Sequence, residues 1–311
     1  MTKENRNILF IGSKSSGLEL LKVLFSNISE SNREIKISVL TFDDSSDIRS
    51  KLYEYKIFTS ENNIPITIAN NRKEADLYIR AISPDICFVM GWYWIFSEKI
   101  LSSVPNGFIG IHYSLLPKNR GFSPLVWSII NGEEYSGFSI FSMNAQMDEG
   151  DIWLQKKISI GKDEYIGEIM DKFEYEVINS FSDLLPQILN GSAKPGPQEK
   201  TGASYLKKRE PEDGKIDWQE SAEKIYNFIR AQTDPYPGAF TFFANKKIIV
   251  TSAKLSQNIS NDLPGIITEK TSEGVLVACG HKTSLLIQTI EINGRKYNSN
   301  NFFTSVNLKL G

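Results

Sequence analysis

Ile8-Leu-Phe-Ile-Gly-Ser-Lys-Ser-Ser-Gly-Leu-Glu-Leu-Leu-Lys-Val-Leu24 decides the fold. Four consecutive apolar residues, a turn bounded by two glycines and an amphipathic stretch follow one another, the order of a buried strand, a tight turn and a helix packed on it. The rhythm repeats outward, with apolar runs at 35–42 and 66–68, a helical pattern at 75–82 and a further run at 86–90. This alternation predicts βαβ units, hence a Rossmann-like α/β domain whose mostly parallel sheet carries helices on both faces. Ligands of such sheets bind beyond the carboxyl ends of the strands, so functional residues are expected where strands end. The turn Gly12-Ser-Lys-Ser-Ser-Gly17 fits neither G-x-G-x-x-G nor the phosphate loop ending in Gly-Lys-Ser/Thr, and gives no support for NAD or ATP.

Further along, Ile166, Ile169, Met170, Phe173, Val177, Ile178, Phe181 and Leu185 recur at steps of three and four, which predicts an amphipathic helix over 163–189 packed on the sheet. Two prolines and two glycines in Asn190-Gly-Ser-Ala-Lys-Pro-Gly-Pro197 then break regular structure. Beyond about residue 240 the texture changes to short strands at 247–253, 266–268, 275–279 and 285–292, separated by Gly and Asn turns. The chain of 311 residues therefore reads as two domains: 1–200, the Rossmann-like domain, and 201–311, a small β-barrel-like (OB-like) domain.

A formal net charge of -2 builds in no overall attraction to a polyanion and disfavours nucleic acid as a partner. With two histidines, two cysteines and no cluster at ligand spacing, no metal is expected. Cys87 and Cys279 lie in apolar runs and read as reduced core residues. The only apolar run near the N-terminus, Ile8 to Ile11, is too brief for a secretion signal or a membrane span. The expectation is a cytoplasmic protein without a membrane partner, and a homodimer stays open.

Two segments carry chemistry. Gly107-Phe-Ile-Gly-Ile-His-Tyr-Ser-Leu-Leu-Pro-Lys-Asn-Arg-Gly-Phe-Ser-Pro-Leu125 delivers a lone histidine, His112, at the carboxyl end of an apolar strand, where an imidazole can serve as acid or base at neutral pH. In Gly137-Phe-Ser-Ile-Phe-Ser-Met-Asn-Ala-Gln-Met-Asp-Glu-Gly-Asp-Ile152 a strand ends in a loop with three carboxylates, Asp148, Glu149 and Asp151, any of which can act as a base or simply lie in a solvated turn. The residues alone give an α/β enzyme with His112 and an acidic loop.

Both segments resemble the 10-formyltetrahydrofolate-dependent formyltransferases. Ile111-His-Tyr-Ser-Leu-Leu-Pro-Lys-Asn-Arg-Gly121 is similar to the family's Asn-x-His-x-Ser-Leu-Leu-Pro-x-x-Arg-Gly, and Met147-Asp-Glu-Gly-Asp-Ile152 to its Asp-x-Gly-x-Ile loop. A third stretch, Arg209-Glu-Pro-Glu-Asp-Gly-Lys-Ile-Asp-Trp218, with Asp234-Pro-Tyr-Pro-Gly-Ala-Phe240, resembles the start of the C-terminal domain in the transfer-RNA and lipid A sugar members. The resemblance implies that His112 and Asp148 are catalytic and that 10-formyltetrahydrofolate, the formyl donor, lies beside Met90, Gly91, Trp92, Tyr93 and Trp94 on one side and Asn144 and Met147 on the other. The aromatic run is equally readable as plain core. Ser114, Lys118 and Arg120 follow the strand and are expected to hold a phosphate or carboxylate of the amine substrate.

By the same resemblance the acceptor is the amine of a small-molecule nucleotide sugar, a UDP- or dTDP-linked 4-amino-4,6-dideoxy sugar of surface glycan (lipopolysaccharide) biosynthesis. A methionyl-tRNA formyltransferase is the alternative within enzymes. One departure stands out, since the family's asparagine two residues before the histidine is Gly110 here. An oxyanion donor of that kind contributes roughly 2.7 to 4 kcal/mol in other enzymes. Three explanations compete: protonated His112 or a water takes the role, Asn106 or Asn144 is brought there by the fold, or the chain is a weak enzyme or a pseudoenzyme that binds folate or nucleotide sugar. The first is preferred, because His112, Asp148 and their motifs are otherwise intact.

Overall fold

A computed structural model describes residues 6–29 and 34–311. Along the chain run β1 (Arg6–Gly12), α1 (Lys14–Ser29), β2 (Ile35–Phe42), α2 (Leu52–Glu61), β3 (Ile66–Ala69), α3 (Arg72–Ile82), β4 (Ile86–Met90), α4 (Glu98–Leu101) and β5 (Phe108–His112). There follow β6 (Arg120–Gly121), α5 (Pro124–Ile130), β7 (Tyr135–Ser142), β8 (Ile152–Ser159), α6 (Ile166–Asn190) and β9 (Tyr205–Leu206). The rest comprises α7 (Ala222–Arg230), β10 (Ala239–Phe243), β11 (Lys246–Leu255), β12 (Ile267–Lys270), β13 (Val275–Ala278), β14 (Ser284–Ile292), β15 (Arg295–Asn298) and α8 (Ser299–Phe302).

Two compact units emerge. The first comprises residues 1–121, 137–158 and 172–205, and the second 122–136, 159–171 and 206–311. The first holds a seven-stranded sheet in the order β3-β2-β1-β4-β5-β7-β8. Its pairs β2–β3, β1–β2, β1–β4 and β4–β5 are parallel, whereas β5–β7 is antiparallel. The strands are apolar on both faces because both are covered. Leu9, Ile11, Cys87 and Val89 pack with Ala75 and Ile79 of α3. Phe10, Phe88, Ile109 and Ile111 turn the other way, towards Leu20 of α1 and Phe181 of α6. The mostly parallel sheet with helices on both faces expected from the sequence is therefore present. Strand order reverses between β1 and β4, so the loops after β1, β4 and β5 open where such folds bind ligands.

The second unit carries the antiparallel sheet expected towards the C-terminus, in the order β10-β11-β14-β13-β12 with β15 also paired to β14. Irregular register between Val250 and Ala253 bends β11 against β14. Its core joins Ile225, Tyr226 and Ile229 of α7 to Val250, Val275, Val277, Leu285 and Ile287 of the strands. Arg230 donates to the carbonyls of Gly161 and Glu164, and the Tyr165 hydroxyl bonds Ala253, which explains why residues 159–171 cluster with this unit. Cys87 and Cys279 are free and buried, and burial pushes the Cys279 thiol up to about 12.

Candidate active site

His112 is delivered by β5, a central strand flanked by β4 and β7, whose small Gly110 and apolar neighbours let it sit deep in the sheet. His112 is only 8% exposed. Its Nε2 lies 2.8 Å from the Asn119 carbonyl, and since a carbonyl only accepts, Nε2 carries the hydrogen. The other nitrogen, Nδ1, faces Asp148 Oδ2 at 3.7 Å, within ion-pair reach but too long for a hydrogen bond. Neutral imidazole held in this way presents Nδ1 as its proton-accepting atom, with a carboxylate ready to face the cation that results.

Asp148 is reached by a loop that folds back on its own strand. Its φ of +56° lies in the left-handed region that aspartate tolerates better than bulky residues. At Gly150 a side chain is impossible, because a Cβ would sit 1.6 Å from the Ser142 carbonyl oxygen. The carboxylate accepts from the Gly121 backbone N–H at 2.8 Å, so the Arg-Gly turn after β5 holds the aspartate. Glu149 pairs with Arg120 at 3.0 Å instead of His112. Of the three loop carboxylates, geometry thus brings Asp148 to the imidazole.

The residues expected to bind substrate divide. Ser114 is buried and donates to the Lys118 carbonyl at 2.7 Å, closing the turn, while the Lys118 side chain is exposed. Arg120 turns inward and is only 7% exposed. It donates to the Tyr205 hydroxyl at 2.7 Å and to Gln198 Oε1 at 2.8 Å. Its Nε is buried without a partner among the described residues.

The expected folate residues surround the end of β4. Met90 accepts from the Ser13 backbone at 3.1 Å, and Gly91, at φ +71°, has no room for a Cβ beside the Ser13 carbonyl. Trp92 and Trp94 pack edge-on at 5.0 Å, and both lie against Phe42. The Trp92 indole nitrogen is buried without a partner among the described residues, whereas Tyr93 is 59% exposed. Met147 is 41% exposed, and Asn144 is exposed with its carbonyl oxygen accepting from the Gln146 backbone. Met143, like Trp92 and Trp94, packs against the core that holds Phe96 and Phe108, and it lies against Gly110.

Asn106 does not replace the missing asparagine at 110. Asn106 sits before β5, at the opposite end of the strand from His112, and donates to the Asp85 carbonyl at 3.0 Å. Asn144 uses its side-chain oxygen on its own turn, accepting from the Gln146 backbone. Gly110 is itself buried, and a Cβ there would lie 3.2 Å from Met143 Sδ. Sequence reasoning missed Gln198, Ser204 and Tyr205, which bond Asp148, Asn119 and Arg120 respectively. Their separations of 50 to 85 residues left no local signal.

With this geometry in place, similarity to known proteins becomes informative. The family "Formyl transferase" matches residues 7–184, and "Formyl transferase, C-terminal domain" matches residues 208–307. The chain belongs to the formyl transferase family. Among relatives it is 34% identical over 277 residues to the bifunctional polymyxin resistance protein ArnA of Wigglesworthia glossinidia brevipalpis, covering 88% of this chain and 41% of that protein. It therefore spans less than half the length of that relative. Among solved structures, the N-formyltransferase of Helicobacter canadensis in complex with folinic acid and dTDP-3-aminofucose superposes with a TM-score of 0.68 at 17% identity, over 96% of this chain and all of that one. Methionyl-tRNA formyltransferase of Clostridium thermocellum gives 0.57 at 23% identity, over 81% and 94%. At such identities these two show that the formyl transferase fold is shared. No group of three or more His, Cys, Asp or Glu among the described residues is placed to hold a metal ion, and no described helix is long and apolar enough to cross a membrane.

Proposed function

We propose that this member of the formyl transferase family moves the formyl group of 10-formyltetrahydrofolate to the amine of a nucleotide-linked amino deoxy sugar, a UDP- or dTDP-4-amino-4,6-dideoxy sugar of surface glycan biosynthesis. The observation that carries the reading is the pair His112 Nδ1 and Asp148 Oδ2 at 3.7 Å, with the family motifs around it intact apart from Gly110. Bound folate would supply the formyl group. The residues after β4 suit a flat heterocycle, since Trp92 and Trp94 form an aromatic wall, the Trp92 indole N–H is an unused donor and Tyr93 is open to solvent. Met90, Gly91, Asn144 and Met147 complete that assignment.

Within the protein, the Asn119 carbonyl fixes the imidazole tautomer, and Nδ1 would take the proton that the acceptor amine sheds as its nitrogen bonds to the formyl carbon, then return it to the donor nitrogen as the bond between that nitrogen and the formyl carbon breaks, so that tetrahydrofolate leaves. Asp148 then faces the imidazolium, and that cation beside the reacting carbon offsets the charge gathering on the formyl oxygen in the absence of an asparagine at 110. Lys118, exposed on the turn after β5, is the cation for a substrate phosphate, while inward-turned Arg120 and Ser114 shape that turn. In this reading the chemistry belongs to residues 1–200, with 201–311 as an accessory β domain, and the protein works in the cytoplasm.

The nucleotide-sugar reading is preferred over methionyl-tRNA because a net charge of -2 supplies little of the phosphate attraction that dominates nucleic-acid binding. The test mixes the protein with 10-formyltetrahydrofolate and a panel of UDP- and dTDP-linked 4-amino-4,6-dideoxy sugars, following tetrahydrofolate release and formyl adducts by mass. Adduct on one member is expected. No adduct on any sugar, with formylation of methionyl-tRNA instead, would replace this reading, and binding of folate without any transfer would leave a pseudoenzyme.

A further inference from the structure

We infer that Gln198 is a positioning residue for the chemistry at His112, acting by clamping the backbone of the loop that carries Asp148. Its side-chain nitrogen donates to two carbonyls of that loop, Asp148 O at 2.7 Å and Gly150 O at 2.8 Å. Its side-chain oxygen accepts from Arg120 Nη2 at 2.8 Å. Two carbonyls on one side and a guanidinium on the other permit only one orientation of the carboxamide. The intervening residue, Glu149, is held by its side chain, which pairs with Arg120 and accepts from the Tyr205 hydroxyl. Three consecutive loop residues are therefore tied to a segment some fifty positions away in the chain.

What this clamp protects is a short list of awkward features. Asp148 sits at φ +56°, Gly150 is pressed on the Ser142 carbonyl, and the carboxylate faces Nδ1 at 3.7 Å rather than through a locking hydrogen bond. Because no direct bond pins the aspartate to the imidazole, their distance is set by the loop backbone and by the Gly121 N–H. Displacing a reactive group by 1 Å can cost about 100-fold in rate. Gln198 and Arg120 thus act through Asp148, and Arg120 belongs to the loop support rather than to the substrate contacts expected of it. The inference rests on the formyl-transfer reading for its kinetic readout but on geometry alone for its structural one.

The experiment compares wild type with Gln198→Ala and Gln198→Glu, the latter keeping the acceptor for Arg120 while losing both donors to the loop. Gln187→Ala, on the exposed face of α6, serves as the control. With the acceptor found active in the sugar panel, both Gln198 variants are expected to lose about 100-fold in kcat at little-changed KM for donor and acceptor. Nitrogen-15 NMR of the imidazoles supplies a readout independent of any acceptor. His112 resonances should move in Gln198→Ala in the direction they move in Asp148→Asn, while His281, the other histidine, stays put. Wild-type kcat with unmoved His112 resonances would overturn the clamp, and a raised KM at unchanged kcat would make Gln198 a substrate contact instead. If the wild type formylates nothing, the functional reading fails and the resonance comparison still decides the clamp.

Discussion

Two charged clusters stand at the carboxyl ends of strands in the first unit, and they are finished differently. After β1 and β2, Lys14 Nζ lies 2.6 Å from Asp44 and 2.8 Å from Asp47, Arg49 binds Asp47 through two nitrogens, and the Ser50 hydroxyl bonds Asp44. Burial alone would lower the Lys14 ammonium, but its hydrogen bonds to Asp44 and Asp47 outweigh that and raise it. The Arg49 side chain, with Lys14, holds the Asp47 carboxyl well below the usual carboxylate range. After β5, by contrast, His112 and Asp148 face each other across 3.7 Å without a hydrogen bond. Saturated charges stabilise a loop, whereas a nitrogen left with its lone pair free of a short bond can still accept a proton. On the proposed function, completeness of pairing separates the structural ion cluster from the pair assigned to the chemistry.

That contrast breaks first, and by most, at the reactive pair. His112→Ala and Asp148→Asn should each lower kcat for formyl transfer by about 100- to 10,000-fold, with thermal melting near that of the wild type. Stopped turnover with a large fall in Tm would instead make the pair structural.

Lys14→Met should behave oppositely. It leaves the buried Asp44 without its cation and is expected to cost about 1–3 kcal/mol in denaturant unfolding at unchanged kcat. The pH dependence sharpens this. A carboxyl depressed in the folded state contributes stability in full above the unfolded carboxylate value, and the contribution is lost as pH falls through the folded value. The Lys14→Met deficit should therefore shrink when unfolding is followed from about pH 6 to about pH 2. A deficit independent of pH would show that methionine merely packs badly.

The smallest and most local effect is expected at Gly110→Asn, where the new Cβ would meet Met143 Sδ at 3.2 Å and Phe141 at 3.4 Å. Overpacking of this kind costs about 1–3 kcal/mol, and adding Met143→Ala should restore part of it. Equal stability of Gly110→Asn and the wild type would show that Met143 yields freely.

How much of this was legible in the sequence depends on the range of the interactions. Apolar runs and 3.6-residue periodicity are local, so β1, β4, β5 and the long helix α6 were readable from the chain, with α6 ending at Asn190 where Gly191 follows. The pairing of Asp148 with His112 had a weaker signal, carried by the motif resemblance rather than by any spacing. Arg120 was expected to hold the substrate, and nothing beside it in sequence announces its bonds to Gln198 and Tyr205, 78 and 85 residues on. Residues 122–136 and 159–171 likewise show no sign in the sequence of clustering with the C-terminal unit.

The sequence by itself determined the βαβ order and the strand that ends in His112, because each follows from backbone sterics and hydrophobic period within a few residues. Only the tertiary structure decided which carboxylate faces the imidazole, which nitrogen of that imidazole is left to accept a proton, and that Met143 fills the space beside Gly110. Those outcomes depend on distances of a few tenths of an ångström between segments far apart in the chain, and such distances are set by packing, to which no local pattern is sensitive.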